Sequence, residues 1–96
     1  MSARYRYAVE FQWDPKKATR NRRKHGVSFD EAATAFDDPV AAYYPDALHS
    51  ERFVMIGLSA SEKLLYVVYA EVRAESIRII SARKATKHER TRYEND

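Results

Sequence analysis

Three β-forming segments follow one another with very short connections in the second half of the chain, and this spacing limits the possible folds more than any other feature. They span residues 52–59, 64–72 and 76–83, with first four and then three residues between them. Parallel strands need a crossover of a dozen or more residues, whereas antiparallel strands can be joined by a tight turn. The spacing therefore predicts an antiparallel meander.

The N-terminal part predicts a strand followed by a helix. Residues 5–13 are rich in β-forming side chains and alternate in part, and they stop at Asp14 and Pro15. Asp is a favoured N-cap residue, and Pro is well tolerated at the first helical position. We expect this first helix to run to about His25, where Gly26 can adopt the positive φ of a C-terminal cap.

Two capping-box patterns predict two more helices. Ser28 and Glu31 have the spacing at which a hydroxyl and a carboxylate satisfy the first N–H groups of a helix. Pro39 ends this second helix because it disfavours the α conformation in the residue before it. Thr86 and Glu89 repeat the pattern and predict a short C-terminal helix.

Together with a short strand predicted at residues 40–44 and a polar loop at 45–50, these segments give the order β-α-α-β-β-β-β-α. The expected fold class is α+β, with two N-terminal helices packed on one face of an antiparallel sheet and the other face more open. A chain of 96 residues has room for one core, so we expect a single domain over residues 1–96.

Composition excludes several classes of protein and site. No run approaches the roughly 20 apolar residues that cross a bilayer, and the first residues lack the apolar segment of a signal peptide. The chain contains no Cys and three well-separated His, so disulfides, thiolate chemistry and a zinc site are not expected. We therefore expect a cytoplasmic protein without a membrane contact, a metal or another cofactor.

Charge is segregated along the chain behind a modest net charge of +3. Residues 16–24 hold six Lys or Arg and no acid, residues 25–51 hold six acids and no Lys or Arg, and the chain is basic again from Arg78. If the two basic blocks meet in space, they form one positive surface that can displace counterions from phosphates. The alternative is that they are solvated helix faces.

The sequence resembles the BrnT family of type II toxins over nearly its whole length. The most specific matches are WDPKK and KHGVSFDEA near the N-terminus and RIISARKATKHER near the C-terminus, with ERFVMIGLS between them. The resemblance implies a RelE-like fold and a ribonuclease activity that arrests translation. It also implies neutralisation by a BrnA-type antitoxin that carries a DNA-binding region.

Metal-free RNA cleavage needs a base for the 2′-hydroxyl, fixed positive charge at the phosphate and an acid for the 5′-oxygen. His25 is the best titratable candidate because imidazole titrates near neutrality, although it could equally cap the first helix. Lys24, Arg52 and Arg83 are candidate phosphate ligands in the catalytic site. Glu51 ranks below Arg52 because a regular pleat points the two side chains to opposite faces.

A wider set of side chains is expected to contact RNA: Lys84, Arg78, Lys87, Tyr66 and Tyr69. An odd spacing along a strand predicts opposite faces for Arg78 and Arg83, and likewise for Tyr66 and Tyr69. Either tyrosine could stack a base, although packing in the core or at its rim is the more common role of a strand tyrosine.

Three functions are compatible with these residues. The first is a metal-independent ribonuclease toxin, and the second is a non-catalytic RNA- or DNA-binding module that uses the same basic surface. The third is an interaction protein that docks an acidic partner, which agrees with the first because an antitoxin must cover the same surface. No recognition-helix motif is evident, so DNA contact is expected only through the antitoxin, in a hetero-oligomer with it.

Overall fold

The structure, a computed structural model, describes residues 9–95 and confirms the predicted order of elements. The strands are β1 (Glu10–Gln12), β2 (Ala42–Pro45), β3 (Phe53–Leu58), β4 (Leu64–Arg73) and β5 (Ser76–Lys84). The helices are α1 (Pro15–His25), α2 (Phe29–Thr34), which a 3₁₀ turn at Ala35–Asp37 extends, and α3 (Lys87–Asn95). Residues 5–8 of the predicted first strand lie outside the described residues, and the strand predicted at 40–44 begins two residues later than expected.

The five strands form one sheet in the order β1-β5-β4-β3-β2. Strands β2 to β5 are antiparallel neighbours, which confirms the predicted meander. Strand β1 pairs with β5 in parallel, so the sheet is mixed rather than wholly antiparallel. The helices and strands between β1 and β5 supply the long crossover that a parallel pair requires.

The local signals that predicted α1 form the expected hydrogen bonds. Asp14 Oδ1 accepts from the backbone N–H of Lys16 at 2.9 Å. At the other end, Gly26 has a φ of 73°, and its N–H donates to the Arg22 carbonyl at 2.8 Å. A residue with a Cβ atom is strained in this left-handed conformation, so the end of α1 depends on glycine.

The two capping boxes differ. At α2, Ser28 Oγ accepts from the Glu31 N–H at 3.0 Å, but the Glu31 carboxylate accepts from the Ser59 hydroxyl at 2.8 Å and joins the helix to the β3–β4 turn. At α3, both halves form, because the Thr86 N–H donates to Glu89 at 2.9 Å and the Glu89 N–H donates to Thr86 Oγ1 at 3.2 Å. Both helix starts therefore lie where the pattern predicts them.

Helices α1 and α2 cover one face of the sheet. The main core lies beneath them and is formed by Val27, Phe29, Ala32, Ala35, Met55, Leu65, Val67, Tyr69, Ile79 and Ala82. A smaller cluster lies on the opposite face and is formed by Ala42, Val54, Ile56 and Leu64, with Tyr93 of α3 packed against it. We call this second face, which also carries Tyr66 and Arg83, the open face.

Asn21 fixes α1 against the edge of β5. Strand β1 covers β5 only at residues 76–78, and beyond them Asn21 takes the place of a neighbouring strand. Its Nδ2 donates to the carbonyls of Ala82 and Val27 at 2.8 and 3.0 Å, and its Oδ1 accepts from the Ala82 N–H at 3.1 Å. Asn21 is buried, so these bonds satisfy groups that would otherwise be costly to remove from water.

A β-bulge in β5 changes which side chains share a face. The pairing of β4 with β5 skips Ile80, an extra residue between Ile79 and Ser81. The extra residue shifts the alternation by one, so Arg78 and Arg83 both lie on the open face. The predicted placement of these two arginines on opposite faces is wrong, because it assumed a regular pleat.

Candidate nucleic-acid interface

The open face centres on Arg83 of β5, which pairs with Tyr66 of β4. The guanidinium carbon lies 4.0 Å from the centre of the Tyr66 ring. Nη1 and Nη2 each donate to one carboxylate oxygen of Glu89, at 2.8 and 2.9 Å, and Nη1 also donates to the Lys84 carbonyl at 3.3 Å. The paired hydrogen bonds and the aromatic ring together fix the plane of the guanidinium.

Three of the five N–H groups of Arg83 are used in these contacts. The other two, on Nε and Nη2, lie along one edge of the planar group and have no acceptor among residues 9–95. The side chain is 34% exposed. One edge of a fixed guanidinium therefore keeps two donors in the geometry that binds a phosphate through a pair of hydrogen bonds.

Glu89 and Arg83 keep each other ionised. Burial opposes the charge of Glu89, whose side chain is 15% exposed, but hydrogen bonds from Arg83 and from the Thr86 N–H outweigh burial and hold the pKa of Glu89 below its ordinary value. The hydrogen bond to Glu89 raises the pKa of Arg83. Burial raises the pKa of Tyr66, and the charge of Glu89 adds to this effect, so the phenol stays protonated at neutral pH.

Helix α3 crosses the open face, where Tyr93 packs against the smaller cluster and polar and cation–π contacts add to this packing, although none of the described residues of α3 is buried. The Tyr93 hydroxyl donates to Asp38 at 2.7 Å, and the same carboxylate accepts from the Leu58 N–H at 2.8 Å. The Arg92 guanidinium lies 3.7 Å from the centre of the Tyr44 ring. The helix therefore borders the guanidinium site without a packed core of its own.

Further basic side chains lie at the other end of the open face. Arg78 is exposed and donates to Gln12 at 2.9 Å. Arg52 directly precedes β3, four residues from Ile56, which shares a row with Arg83 through β4. Arg52 is thus about 13 Å from Arg83 along the strands and about 10 Å across two of them. These guanidinium groups suit different phosphates rather than a single one.

The predicted separation of Glu51 from Arg52 is wrong. Glu51 lies in a turn, whereas Arg52 continues the pairing of β2 with β3, because its carbonyl accepts from the Asp46 N–H at 3.0 Å. The alternation of a pleat therefore applies to Arg52 but not to Glu51. Glu51 Oε2 lies 3.8 Å from Arg52 Nε, and the Glu51 side chain is largely exposed. An exposed pair at this distance holds Arg52 only weakly.

Tyr69 belongs to the core and not to the open face. Tyr66 and Tyr69 lie on opposite faces, as predicted, and Tyr69 is 5% exposed in a cluster with Phe36 and Phe53. Burial raises the pKa of Tyr69 to about 12. The predicted RNA contact of Tyr69 is wrong, because a ring enclosed by other rings cannot stack a base.

The Lys84 side chain lies away from the guanidinium site. Lys84 pairs with Leu65, whose side chain lies in the main core, so Lys84 leaves the sheet on the helix-covered side. Arg83 and Lys84 therefore lie on opposite faces of the sheet, and the RNA contact of Lys84 stays a prediction. Lys87 is exposed as the first residue of α3, and its contact with RNA stays a prediction.

His25 and Lys24 lie at the C-terminal end of α1, beside the edge of β5. An open cavity of about 330 Å³ at this edge is lined by Lys17, Arg20, Asn21, Lys24, His25, Ile80 and Ser81. Ser81 is two residues from Arg83, about 7 Å along the strand. The helix that carries the first basic block therefore packs against the strand in which the second basic block begins.

Among residues 9–95, no three His, Asp or Glu side chains are grouped so that they could hold a metal ion. No helix in this part of the chain is long and apolar enough to cross a membrane.

Comparison with known proteins identifies the family. The family of BrnT ribonuclease toxins of type II toxin-antitoxin systems matches residues 13–89. This chain belongs to the BrnT family. The crystal structure of the Brucella abortus ribonuclease toxin BrnT is similar, with a TM-score of 0.68 and 25% sequence identity over 82% of this chain and 99% of that chain. No curated protein matches this chain.

Membership of the BrnT family confirms the resemblance seen in the sequence, and the similar crystal structure supports the α+β architecture. The matched range contains every predicted site residue. A type II toxin-antitoxin family also implies an antitoxin partner.

Sequence reasoning misses two features of this BrnT-family site. The capping-box pattern explains Glu89 only as part of a helix start and gives no reason to pair it with Arg83. Opposite charges six residues apart, on either side of a strand-to-helix turn, were the available signal. The stacking of Arg92 on Tyr44 joins residues from distant parts of the chain, and no local pattern indicates it.

Proposed function

We propose that this chain is a metal-independent endoribonuclease whose active site is the open face around Arg83. The supporting observation is the guanidinium itself, which Glu89 holds through two hydrogen bonds and the Tyr66 ring supports, while two donors remain along one edge. A group fixed in this way needs no reorganisation when charge develops on a phosphate, and such preorganised charge is often the largest contribution to catalysis.

In the proposed reaction, the 2′-oxygen of the RNA attacks the adjacent phosphorus and the bond to the 5′-oxygen breaks. Glu89 takes the 2′-hydroxyl proton, since it is ionised and its Oε2 accepts from Arg83 alone among residues 9–95. Arg83 stabilises the charge that grows on the non-bridging oxygens. His25 is the proposed donor of a proton to the 5′-oxygen. The products are a 2′,3′-cyclic phosphate and a 5′-hydroxyl.

The remaining candidates have proposed roles around this centre. Arg52 and Arg78 bind phosphates farther along the open face, and Glu51 orients Arg52 through their weak ion pair. Lys24 binds a phosphate beside His25. These assignments follow from the positions of the side chains and from the affinity of Arg and Lys for phosphate.

We further propose that the cleavage arrests translation and that a BrnA-type antitoxin neutralises the chain by covering the open face. Uncovered arginines on this face would attract cellular RNA at all times. Acidic antitoxin side chains that pair with Arg52, Arg78 and Arg83 would exclude RNA and speed association of the two proteins. In the resulting hetero-oligomer, only the antitoxin contacts DNA.

The first test is cleavage of a defined RNA by the purified chain in EDTA, with analysis of the product ends. We expect cleavage to continue and to leave 2′,3′-cyclic or 3′-phosphate ends. Arg83→Ala should lower the rate by at least about 100-fold. Arg90→Ala, which removes the same charge from an exposed position of α3, is the control and should leave the cleavage rate unchanged.

Two results would contradict this proposal. Complete loss of cleavage in EDTA, restored by a divalent ion, would overturn metal independence. An unchanged rate for folded Arg83→Ala would remove Arg83 from the active site.

The second test expresses the chain with and without the reading frame beside its gene. Growth arrest and RNA cleavage are expected from the chain alone, and a stable complex and normal growth from the pair. Normal growth and intact RNA at high expression of the chain alone would defeat the toxin proposal.

A further inference from the structure

Helix α1 carries a row of basic side chains that extends beyond the proposed active site. Lys17, Arg20 and Lys24 recur at intervals of three and four residues, which places them on one side of a helix. They line the open cavity of about 330 Å³ along the edge of β5, together with His25 and Ser81. The row therefore faces the sheet edge and not only the solvent.

This row has no acidic partners among residues 9–95. Helix α1 contains no Asp or Glu, and the two ion pairs of the described chain join Glu51 to Arg52 and Glu89 to Arg83. Like charges three or four residues apart destabilise a helix. The fold thus retains a repulsive arrangement, which a bound polyanion would relieve.

The row is continuous with the proposed active site around the edge of β5. Ser81 lines the cavity and lies about 7 Å along the strand from Arg83. Asn21 holds α1 at this edge through its hydrogen bonds to Ala82. An RNA strand that crosses the edge from Arg83 meets the basic row next.

The chemistry of this surface suits phosphates rather than a protein. The large apolar side chains that are exposed in the described chain lie elsewhere: Val9, Val40, Tyr43, Leu48, Leu58 and Val72. Protein interfaces combine arginine with apolar and aromatic anchors, and none of these exposed apolar side chains lies on α1. Phosphate contacts need only cations and gain from the release of counterions.

We propose that Lys17 and Arg20 form a second RNA-binding site, the α1 site, which binds the phosphate backbone of the substrate beyond the point of cleavage. This site increases affinity for longer RNA and does not take part in bond breaking. The inference rests on the proposed function, because it takes RNA as the substrate.

The test compares two double variants of the full chain. Lys17→Ala/Arg20→Ala removes the α1 site, and Lys16→Ala/Arg23→Ala is the matched control. Both pairs remove two positive charges from the same helix, and both introduce the better helix former alanine. Lys16 and Arg23 are exposed and do not line the cavity.

Two measurements are made on each variant. Binding of a fluorescent 2′-O-methyl uridine oligonucleotide, which has no 2′-hydroxyl to react, is followed by anisotropy over a range of salt concentrations. Cleavage kinetics are then measured with unmodified RNA of the same length.

We expect Lys17→Ala/Arg20→Ala to make the plot of the logarithm of the association constant against the logarithm of the salt concentration less steep by about 1.4. Each phosphate contact on a single strand contributes about 0.7 to this slope. KM should rise with little change in kcat, and the control variant should change neither quantity. Equal losses in both variants would overturn the proposal, because they would reflect net charge alone.

Two further outcomes separate this inference from others. Unchanged RNA affinity together with weaker binding of the purified antitoxin would assign the surface to a protein partner and overturn the proposal. Binding of RNA through these residues by a chain that never cleaves it would contradict the proposed function and leave the α1 site standing.

Discussion

At the scale of single residues, the Asn21 side chain makes the hydrogen bonds to the edge of β5 that a neighbouring strand usually makes. Its side chain satisfies the N–H and carbonyl of Ala82 and the carbonyl of Val27. Asn21→Ala leaves these groups unsatisfied, and we expect the free energy of unfolding to fall by about 3 kcal/mol.

Urea denaturation followed by the fluorescence of Trp13 would measure this loss. Thr19→Ala, at an exposed position of the same helix, is the control and should change the free energy of unfolding by less than about 1 kcal/mol. Similar losses in the two variants would show that the Asn21 hydrogen bonds stabilise the fold little.

The Glu89 carboxylate caps α3 and holds Arg83, and it is also the proposed general base. Glu89→Gln keeps the size of the side chain and one acceptor oxygen but removes the negative charge. If Glu89 is the general base, kcat falls by at least about 100-fold in the folded variant. Glu94→Gln, at an exposed position of α3, should cleave normally.

Single-turnover cleavage assays on both variants, with folding checked by circular dichroism, would test this role. Lower stability with a normal rate in the folded fraction would leave Glu89 as a helix cap and a partner of Arg83 only.

At the scale of elements, α3 depends on two ionised carboxylates for its position. Burial opposes the charge of Asp38, but hydrogen bonds from the Leu58 N–H and the Tyr93 hydroxyl outweigh it and hold the pKa of Asp38 below its ordinary value. The pKa of Glu89 is lowered in the same way by Arg83. A carboxylate of this kind stabilises the folded state above its unfolded pKa and loses that contribution as pH falls through its folded pKa.

We therefore expect α3 to leave the open face below about pH 4, the ordinary range of these carboxylates, while the main core persists. Backbone NMR signals of α3 should shift or broaden at a higher pH than those of Met55 and Leu65, which are fully buried. A single transition shared by α3 and the core would contradict a separate, carboxylate-dependent attachment.

Elements with local signals could be predicted from the sequence, and features that need a distant partner could not. The ends of α1 follow from Asp14 and Gly26, whose hydrogen bonds reach only nearby residues. The parallel pairing of β1 with β5, the bulge at Ile80 and the insertion of Asn21 at Ala82 depend on register between distant segments. A single sequence contains no measure of that register.

At the scale of the whole molecule, the basic groups of the open face lie too far apart to contact a single phosphate. Arg83 lies at one end, and Arg52 is about 13 Å from it along the strands. We expect Arg52→Ala to raise KM while kcat falls far less than in Arg83→Ala, because Arg52 contacts a phosphate that does not react. Steady-state kinetics on both variants would measure this, and equal losses of kcat would place both arginines at the reacting phosphate.

In the candidate site, the chemistry of the side chains could be predicted from the sequence, but the face of the sheet on which each one lies could not. The affinity of a guanidinium for phosphate indicated Arg83 as a phosphate ligand, and the structure gives it a fixed plane and two remaining donors. Alternation along an assumed regular strand failed for Arg78, and residue type alone failed for the buried Tyr69. Side-chain chemistry could be predicted from composition, whereas the face on which it lies required the pairing of the strands.

Because Ile80 is an extra residue in β5, the number of positions between two residues of this strand does not give their spacing on the surface as it does in a regular strand. Arg83 follows Arg78 by five positions and shares its face because one position is skipped. In a strand without a bulge, two residues that are four positions apart lie on the same face at about the same distance from each other. A relative one residue shorter in β5 therefore presents the same two arginines, and an alignment that opens a gap there matches equivalent side chains. An ungapped alignment would instead match an arginine of this face with a core position, and the two chains would look more divergent than their surfaces are.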